Sequence, residues 1–374
     1  MKADAIGLYV HIPFCLRKCN YCDFCSFDSL ENGVRENYIS SLIKEIKSYR
    51  REEKIAVDTI FFGGGTPSLL EPCEFESIVT AIRETFSVSS NCEFTVEVNP
   101  KTANVEKMLL FKTQGVNRIS IGLQTIHENE RKILGRMHDC RDFVDAYSAV
   151  LESGISNVSV DVMYGIPEQT KSSFLETVSF VVLLNPSHIS VYGLILEEGT
   201  RFWDSRDELS LPNEDGECEM YYSACEYLKK NGYSHYEISN YSKPGFESKH
   251  NLKYWRNEGY IGVGISAYSY FEGHRYGNTK IMSEYLSEEK AQYISDDVID
   301  SEVCAFEYAM LRFRLKEGIS LSEYKNKFGF DFICSREDKI KEYIKCGYMK
   351  KTDDRLFLTE KGFYVSNAIL AELL

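Results

Sequence analysis

The chain has 374 residues and a formal net charge of −14, and 43% of its residues are hydrophobic while 27% are charged. This composition is typical of a globular protein and excludes a disordered or fibrous chain. The negative charge argues against nonspecific binding to nucleic acid, which depends on lysine and arginine side chains at the phosphates. The length predicts a large domain followed by a smaller one.

Twelve cysteines are spread along the chain, and no signal-peptide pattern precedes them. We therefore expect a cytoplasmic protein with reduced thiols. No apolar run approaches the roughly 20 residues that a membrane-spanning helix needs, so we expect no transmembrane segment. Docking at a membrane protein, and a monomeric or homodimeric state, are left open by the sequence.

The first predicted strand, residues 8–12, ends at Pro13 and leads into a loop rich in cysteine. Cys15, Cys19 and Cys22 have the spacing C-x3-C-x2-C. Three thiolates so close together can hold three corners of a four-iron, four-sulfur (4Fe-4S) cluster and leave the fourth iron without a protein ligand. The alternatives are buried thiols or a zinc site, for which Cys25 could supply a fourth ligand.

Strands and helices then alternate in regular order. An amphipathic helix is predicted over residues 37–51, and the second strand, residues 58–62, runs into the glycines at 63–65. Four further strands are predicted at residues 93–98, 118–123, 158–164 and 188–196. Six such units indicate a parallel α/β sheet, open or curved into a partial barrel, with its active site at the carboxyl ends of the strands.

Several polar residues fall near those strand ends. Glu97, Gln124, Arg136 and Asp161 are each unremarkable alone, but we expect them to converge on one rim of the sheet. The glycine run after the second strand could mark only a tight turn. Close to the cysteine loop, it could instead let main-chain groups bind the amino or carboxylate end of a small ligand.

The pattern changes after Gly199. We divide the chain into a core domain at residues 1–240, a connecting region rich in aromatic residues and glycine at 241–300, and a C-terminal domain at 301–374. The last is predicted to be mostly helical and winged-helix-like, with a short hairpin or wing at residues 349–359.

The cysteine spacing, with Tyr9 upstream and Tyr21 before the third cysteine, resembles the radical S-adenosylmethionine (radical SAM) superfamily, whose core is a partial (β/α)6 barrel. Further motifs are similar to the oxygen-independent coproporphyrinogen III oxidase group. They are HIPFC at 11–15, GGGTPS at 63–68, GVNRISIGLQ at 115–124, LGR at 134–136 and DVMYGIP at 161–167. This resemblance extends along nearly the whole chain.

The resemblance implies a 4Fe-4S cluster on Cys15, Cys19 and Cys22, with S-adenosylmethionine chelated at the open iron. In that superfamily one electron from the cluster cleaves a carbon–sulfur bond and gives a 5'-deoxyadenosyl radical. Cys25 is expected to be a spare thiol, because a fourth ligand would close the cluster. The resemblance also implies contacts to S-adenosylmethionine, at one site or two, from Tyr9, Tyr21, Gly64, Gly65, Thr66, Glu97, Gln124, Arg136 and Asp161.

Two branches of this group differ in function: oxidases that decarboxylate coproporphyrinogen III, and chaperones that bind heme and transfer it to client hemoproteins. Three features resemble the chaperones. Only 14 residues precede Cys15, Phe24 stands where the oxidases have a further cysteine, and residues 250–255 match the motif H-N-x-x-Y-W. The resemblance therefore implies a radical SAM heme chaperone, and it leaves open whether the protein is also an enzyme.

His250 is the first residue of that motif and the candidate heme ligand. An imidazole can ligate heme iron, and Tyr254 and Trp255 could pack on the porphyrin. From the residues alone, a histidine hydrogen-bonded in an aromatic core is the commoner arrangement; the resemblance favours the ligand. Tyr268 replaces a histidine that the chaperones usually have. A divergent radical enzyme acting on a tetrapyrrole is thus a further alternative.

Overall fold

The computed structural model describes residues 5–29, 31–287, 296–298 and 300–374. Its core contains the six predicted parallel strands, separated by helices. The strands are β1 Ile6–Ile12, β2 Ala56–Gly64, β3 Ser87–Val98, β4 Arg118–Gln124, β5 Asn157–Tyr164 and β6 His188–Gly193. The helices are α1 Val34–Ser48, α2 Pro72–Thr85, α3 Val105–Thr113, α4 Glu128–Leu134, α5 Cys140–Glu152 and α6 Lys171–Leu184. The predicted partial (β/α)6 barrel is confirmed.

The parallel strands pair in sequence order, from β1 to β6. Residues after β1 and residues after β6 line the same cavity, although four strands separate β1 from β6. The sheet must therefore curve, as twisted parallel sheets do when crossover helices cover one face.

Aromatic packing joins the helices to the outer face of the sheet. Phe75 of α2 is fully buried, with its ring centroid 5.3 Å from that of Phe62, 6.1 Å from that of Phe94 and 4.5 Å from that of Phe111. α2 begins with a capping box, in which the side chains of Glu71 and Glu74 each accept a backbone N–H at the start of the helix.

The chain after β6 adds strands to both ends of the sheet. Its elements are α7 Arg201–Asp204, α8 Glu214–Lys230, β7 Ser234–Glu237, β8 Asn240–Ser242, α9 Lys249–Trp255, β9 Tyr260–Val263, β10 Tyr268–Phe271, β11 His274–Gly277, α10 Met282–Tyr285 and β12 Asp296–Val298. Within the described residues the strand order is β12-β11-β10-β9-β1-β2-β3-β4-β5-β6-β8-β7.

The predicted connecting region is thus largely part of the same sheet. β9 pairs parallel to β1, with Tyr9 opposite Gly262. Glu45 of α1 anchors this region, because its carboxylate accepts hydrogen bonds from Gly264 N at 2.9 Å, from Asn278 Nδ2 at 2.6 Å and from Tyr285 Oη at 2.6 Å. Residues 288–295 and 299 of the predicted connecting region lie outside the described residues.

The C-terminal domain combines helices with a small antiparallel sheet of order β13-β15-β14, as expected for a winged-helix-like unit. Its elements are α11 Ser301–Arg312, β13 Ile319–Ser320, α12 Leu321–Phe328, α13 Glu337–Lys345, β14 Met349–Lys351, β15 Arg355–Leu358, α14 Glu360–Tyr364 and α15 Ser366–Leu373. The domain packs on the core through aromatic side chains: the ring of Tyr364 lies 5.2 Å from that of Tyr221, and that of Phe363 lies 5.2 Å from that of His235.

No helix in the described part of the chain is both long and apolar enough to cross a membrane.

Candidate functional site

A cavity of about 520 Å³ opens at the carboxyl ends of the parallel strands. Most of the residues that the sequence singles out line it. These are Cys15, Cys19, Tyr21, Cys22, Gly64, Gly65, Thr66, Glu97, Gln124, Arg136 and Asp161. Tyr9 and His250 do not belong to this lining.

The cysteine loop between β1 and α1 is fixed at both ends by the main chain. Cys15 N donates to Phe27 O at 2.9 Å, and Phe27 N donates to Pro13 O at 2.7 Å. In the middle of the loop, Asn20 N donates to Leu134 O at 3.0 Å. These contacts hold three half-buried thiols at one wall of the cavity.

Burial raises the pKa of the Cys15 thiol, and it raises the pKa of Cys22 to about 11. Nearby groups act in the opposite direction. Thr66 Oγ1 donates to Cys15 Sγ at 3.6 Å, and the positive charge of Lys18 favours the thiolates of Cys15 and Cys22. Arg136 Nη1 donates to Cys19 Sγ at 3.8 Å. The loop therefore offers its thiols cationic and hydroxyl partners.

The glycine turn after β2 approaches the cysteine loop too closely for any larger residue. A Cβ on Gly65 would lie 2.8 Å from the carbonyl oxygens of Ile12 and Phe14, and Gly65 N donates to that Ile12 oxygen at 2.8 Å. Gly64 has φ +104°, and a Cβ there would lie 2.4 Å from the His11 ring. The turn needs glycine at both positions.

Two carboxyl groups face the interior of the cavity. Burial, together with the nearby charge of Asp161, raises the pKa of Glu97 to about 8. Burial also raises the pKa of Asp161, although Ser120 Oγ donates to Asp161 Oδ1 at 3.2 Å. Such a pair holds a proton readily near neutral pH and can accept a hydrogen bond from an ammonium group.

Gln124 and Arg136 are held in place by specific contacts. Gln124 ends β4 with φ 69°, a left-handed conformation that is uncommon for a residue with a side chain. Tyr192 Oη donates to Gln124 Oε1 at 2.7 Å, and Arg136 Nη2 donates to Gly122 O at 2.6 Å. These contacts fix the side chains of Gln124 and Arg136 in the cavity lining.

Tyr9 lies behind the lining. Its ring stacks on that of Phe61, which does line the cavity, at a centroid distance of 6.2 Å. Burial lowers the pKa of His11 to about 4, so this imidazole is neutral. Its Nε2 donates to Cys25 O at 2.7 Å, and its Nδ1 accepts from Tyr9 Oη at 3.1 Å. Tyr9 thus supports the cysteine loop through His11.

His250 is buried in α9, outside the cavity, and both of its ring nitrogens are hydrogen-bonded. Nδ1 lies 2.9 Å from Thr59 Oγ1, and Nε2 lies 2.8 Å from Tyr254 Oη. Burial lowers its pKa to about 3. In this conformation His250 is a core histidine, and ligation of heme iron would require it to give up one of these bonds.

Two other residues considered in the sequence also lie outside the lining. Cys25 Sγ contacts Lys280 O at 3.7 Å. Tyr268 is exposed in β10, and its ring covers Gly277, where a Cβ would lie 2.6 Å from Tyr268 Cε1.

Several polar residues that line the cavity were not predicted from the sequence. They include Arg118, Ser120, Ser190, Tyr192, Asn240 and Asn251. The signal that could have found the first two is their alternation with Gly122 and Gln124 along β4, because alternate residues of a strand point to the same face. Asn240 follows β6 at a distance, and no local pattern marks it. Asn251 is the second residue of the H-N-x-x-Y-W motif, in which the sequence pointed to His250 and the two aromatic residues alone.

The donor set fits the cofactors that the cysteine spacing implies. Three thiols line the cavity, and cationic and hydroxyl groups contact two of them. The glycine turn after β2 and the carboxyl groups of Glu97 and Asp161 line the same cavity. A cluster on three cysteines keeps one iron open for a small ligand.

Comparisons with known proteins agree with this geometry. The chain matches the family model of the radical SAM superfamily over residues 9–181 and that of the HemN C-terminal domain over residues 299–365. It is 36% identical to the heme chaperone HemW of Lactococcus lactis over 369 residues, which are 98% of this chain and 96% of that protein. The chain belongs to the HemW family.

A second HemW relative, from Escherichia coli, is 32% identical over 99% of this chain and 98% of its own length. Among solved structures, coproporphyrinogen III oxidase (HemN) from Escherichia coli superposes with a TM-score of 0.86 over 99% of this chain and 90% of its own. At 20% identity, this likeness shows the fold alone. The HemW family lies within the radical SAM superfamily, whose domain implies a 4Fe-4S cluster and S-adenosylmethionine.

The raised pKa of Glu97 predicts a pH-dependent stability. The folded protein keeps a proton that the unfolded chain releases above its ordinary pKa of 4.5, so wild-type stability falls as the pH rises toward about 8. Glu97→Gln removes this loss. The free energy of unfolding of the variant relative to wild type should therefore increase between pH 5 and pH 8, measured by anaerobic urea denaturation of the cofactor-free protein.

The exposed Glu106→Gln serves as the matched control, and its stability should run parallel to that of wild type. A parallel curve for Glu97→Gln as well would contradict the burial of this carboxyl group.

Proposed function

We propose that the protein is a heme chaperone that binds heme and transfers it to client hemoproteins. The observation that supports this is the likeness to HemW of Lactococcus lactis, named a heme chaperone, over 98% of this chain and 96% of that protein. The transfer occurs in the cytoplasm on this proposal, and the clients are hemoproteins of the same compartment.

We assign the cluster to Cys15, Cys19 and Cys22, which share one wall of the cavity. When bound, such a cluster supplies an electron to S-adenosylmethionine. Lys18 and Arg136 offset the charge of the thiolates. The glycine turn lets S-adenosylmethionine approach the main chain closely. The same cavity is lined by Glu97, Gln124, Arg136 and Asp161.

Tyr21 and Thr66 complete the assigned site, and Tyr9 acts as a positioning residue through His11. The role of His250 as a heme ligand stays a prediction. Its imidazole is neutral, which is the form that binds iron, but Thr59 and Tyr254 occupy its nitrogens.

The assignment of the cluster predicts a sharp difference among four neighbouring cysteines. Cys15→Ala, Cys19→Ala and Cys22→Ala should each abolish stable iron and sulfide incorporation during anaerobic reconstitution, because the cluster loses one of three protein ligands. Cys25→Ala should keep the wild-type iron content, since its sulfur lies outside the cavity lining. Loss of iron in Cys25→Ala, measured together with sulfide and visible absorbance, would favour a four-cysteine site.

The proposed function is tested by heme transfer. The reconstituted protein is loaded with one equivalent of heme, freed of excess heme, and mixed with an apo-cytochrome of the b type while the Soret band is followed. A chaperone that hands over heme within a complex gives a transfer rate that rises with acceptor concentration. Heme released by simple dissociation gives a rate independent of acceptor.

An acceptor-independent rate, or failure to bind stoichiometric heme, would contradict the proposal. Heme-loaded serum albumin serves as the control donor, because it has no chaperone function toward the acceptor.

A further inference from the structure

Large apolar side chains are exposed around the mouth of the cavity. Phe24 is 60% exposed and Ile195 is 67% exposed, and both line the cavity. Leu16 and Met137, 49% and 51% exposed, line a small crevice that adjoins it. Single exposed apolar residues are ordinary, but a group of four around one opening marks a binding surface.

The two residues that line the cavity come from opposite ends of the parallel sheet. Phe24 lies in the loop after β1 and Ile195 in the segment after β6. Because the sheet curves, both segments line the same cavity although four strands separate β1 from β6. Phe24 and Ile195 therefore bring exposed apolar surface to one cavity from two segments that are distant along the chain.

Three cations lie on the Phe24 side of the opening. Arg17 and Lys18 line the cavity; Lys280 lies outside the lining, with its carbonyl oxygen 3.7 Å from Sγ of Cys25, the residue that follows Phe24. Across the described ranges, none of the three forms an ion pair with a carboxylate; Lys18 Nζ donates to Phe24 O at 3.1 Å. Unpaired cations are notable in a chain of net charge −14.

Besides Glu97 and Asp161, the acidic residues Asp23 and Glu197 line the same cavity. The rim of the cavity therefore carries both charges. An anionic group of a ligand is attracted to the cations and repelled by the carboxylates, which fixes where that group lies.

The size of the cavity also limits what can enter it. A volume of about 520 Å³ lies within the range of about 300–1,000 Å³ that is usual for one small-molecule ligand. With S-adenosylmethionine inside, a second ligand as wide as a porphyrin must lie at the mouth.

We propose that heme binds at this mouth and not at His250, whose two ring nitrogens are hydrogen-bonded outside the cavity. The apolar face of the heme contacts Phe24 and Ile195, and its carboxylates face Arg17, Lys18 and Lys280. This inference rests on the proposed function and adds the place where the heme is held. A porphyrin supplies both features that the rim requires: a flat apolar disc and a negatively charged edge.

Heme titration of the reconstituted protein tests the apolar contact. Phe24→Ser and Ile195→Ser should each raise the dissociation constant about tenfold, since each removes a central contact. Leu183→Ser, on α6 and 81% exposed away from the cavity, is the matched control and should bind as wild type does. Iron content checks that each variant keeps its cluster. Because Ile195 lies outside the cysteine loop, Ile195→Ser tests the apolar contact without changing that loop.

The charged contact is tested with a double variant, Arg17→Glu with Lys280→Glu. It should weaken heme binding about tenfold at low salt and less at high salt, and the weakening should disappear with heme dimethyl ester, in which both carboxylates are capped. Lys112→Glu, exposed on α3, is the control for a change of charge elsewhere.

The outcomes separate this inference from the proposed function. If wild type binds and transfers heme but the mouth variants bind as wild type does, while His250→Ala binds weakly, the heme lies at α9 and the mouth is not its site. Unchanged binding by all variants also overturns the inference, and the exposed rim is then a surface for a protein partner. If wild type binds no heme, the proposed function and the inference both fail.

Discussion

Hydrogen bonding between six parallel strands places every loop that follows a strand at the same edge of the sheet, and curvature brings these loops around one cavity. The cysteine loop follows β1, the glycine turn follows β2, and Glu97 lies near the end of β3. These groups are far apart along the chain, so they meet only because the strands keep their register. The chemistry of the site depends on this single geometric constraint.

The backbone of the glycine turn after β2 lies close to the backbone that leads into the cysteine loop after β1. Gly65 lies where the carbonyl oxygens of Ile12 and Phe14 leave no room for a Cβ, and Thr66 then reaches the sulfur of Cys15. Behind them, the neutral His11 ties Tyr9 to the carbonyl of Cys25. The loop that we assign to the cluster is thus held from both sides before any cofactor binds, which reduces the ordering that binding would require.

The parts of this arrangement that depend on local sequence could be predicted, and those that depend on distant contacts could not. The six strands and the cysteine loop follow from alternation, turn residues and spacing, so eleven predicted residues line the cavity. His250 is hydrogen-bonded to Thr59 of β2, which is distant in sequence, and the pairing of β9 with β1 joins segments about 250 residues apart. Arg118 alternates with Gln124 along β4, but it begins that strand and was missed because site residues were expected at the carboxyl end.

Incubation of the anaerobically reconstituted protein with coproporphyrinogen III, S-adenosylmethionine and a reductant tests the account most directly, with the porphyrins analysed by mass spectrometry. The fold is shared with coproporphyrinogen III oxidase, so only the reaction can separate the two functions. A heme chaperone should return the coproporphyrinogen unchanged under conditions in which HemN converts it. A product that has lost carbon dioxide would show an oxidase and contradict the account.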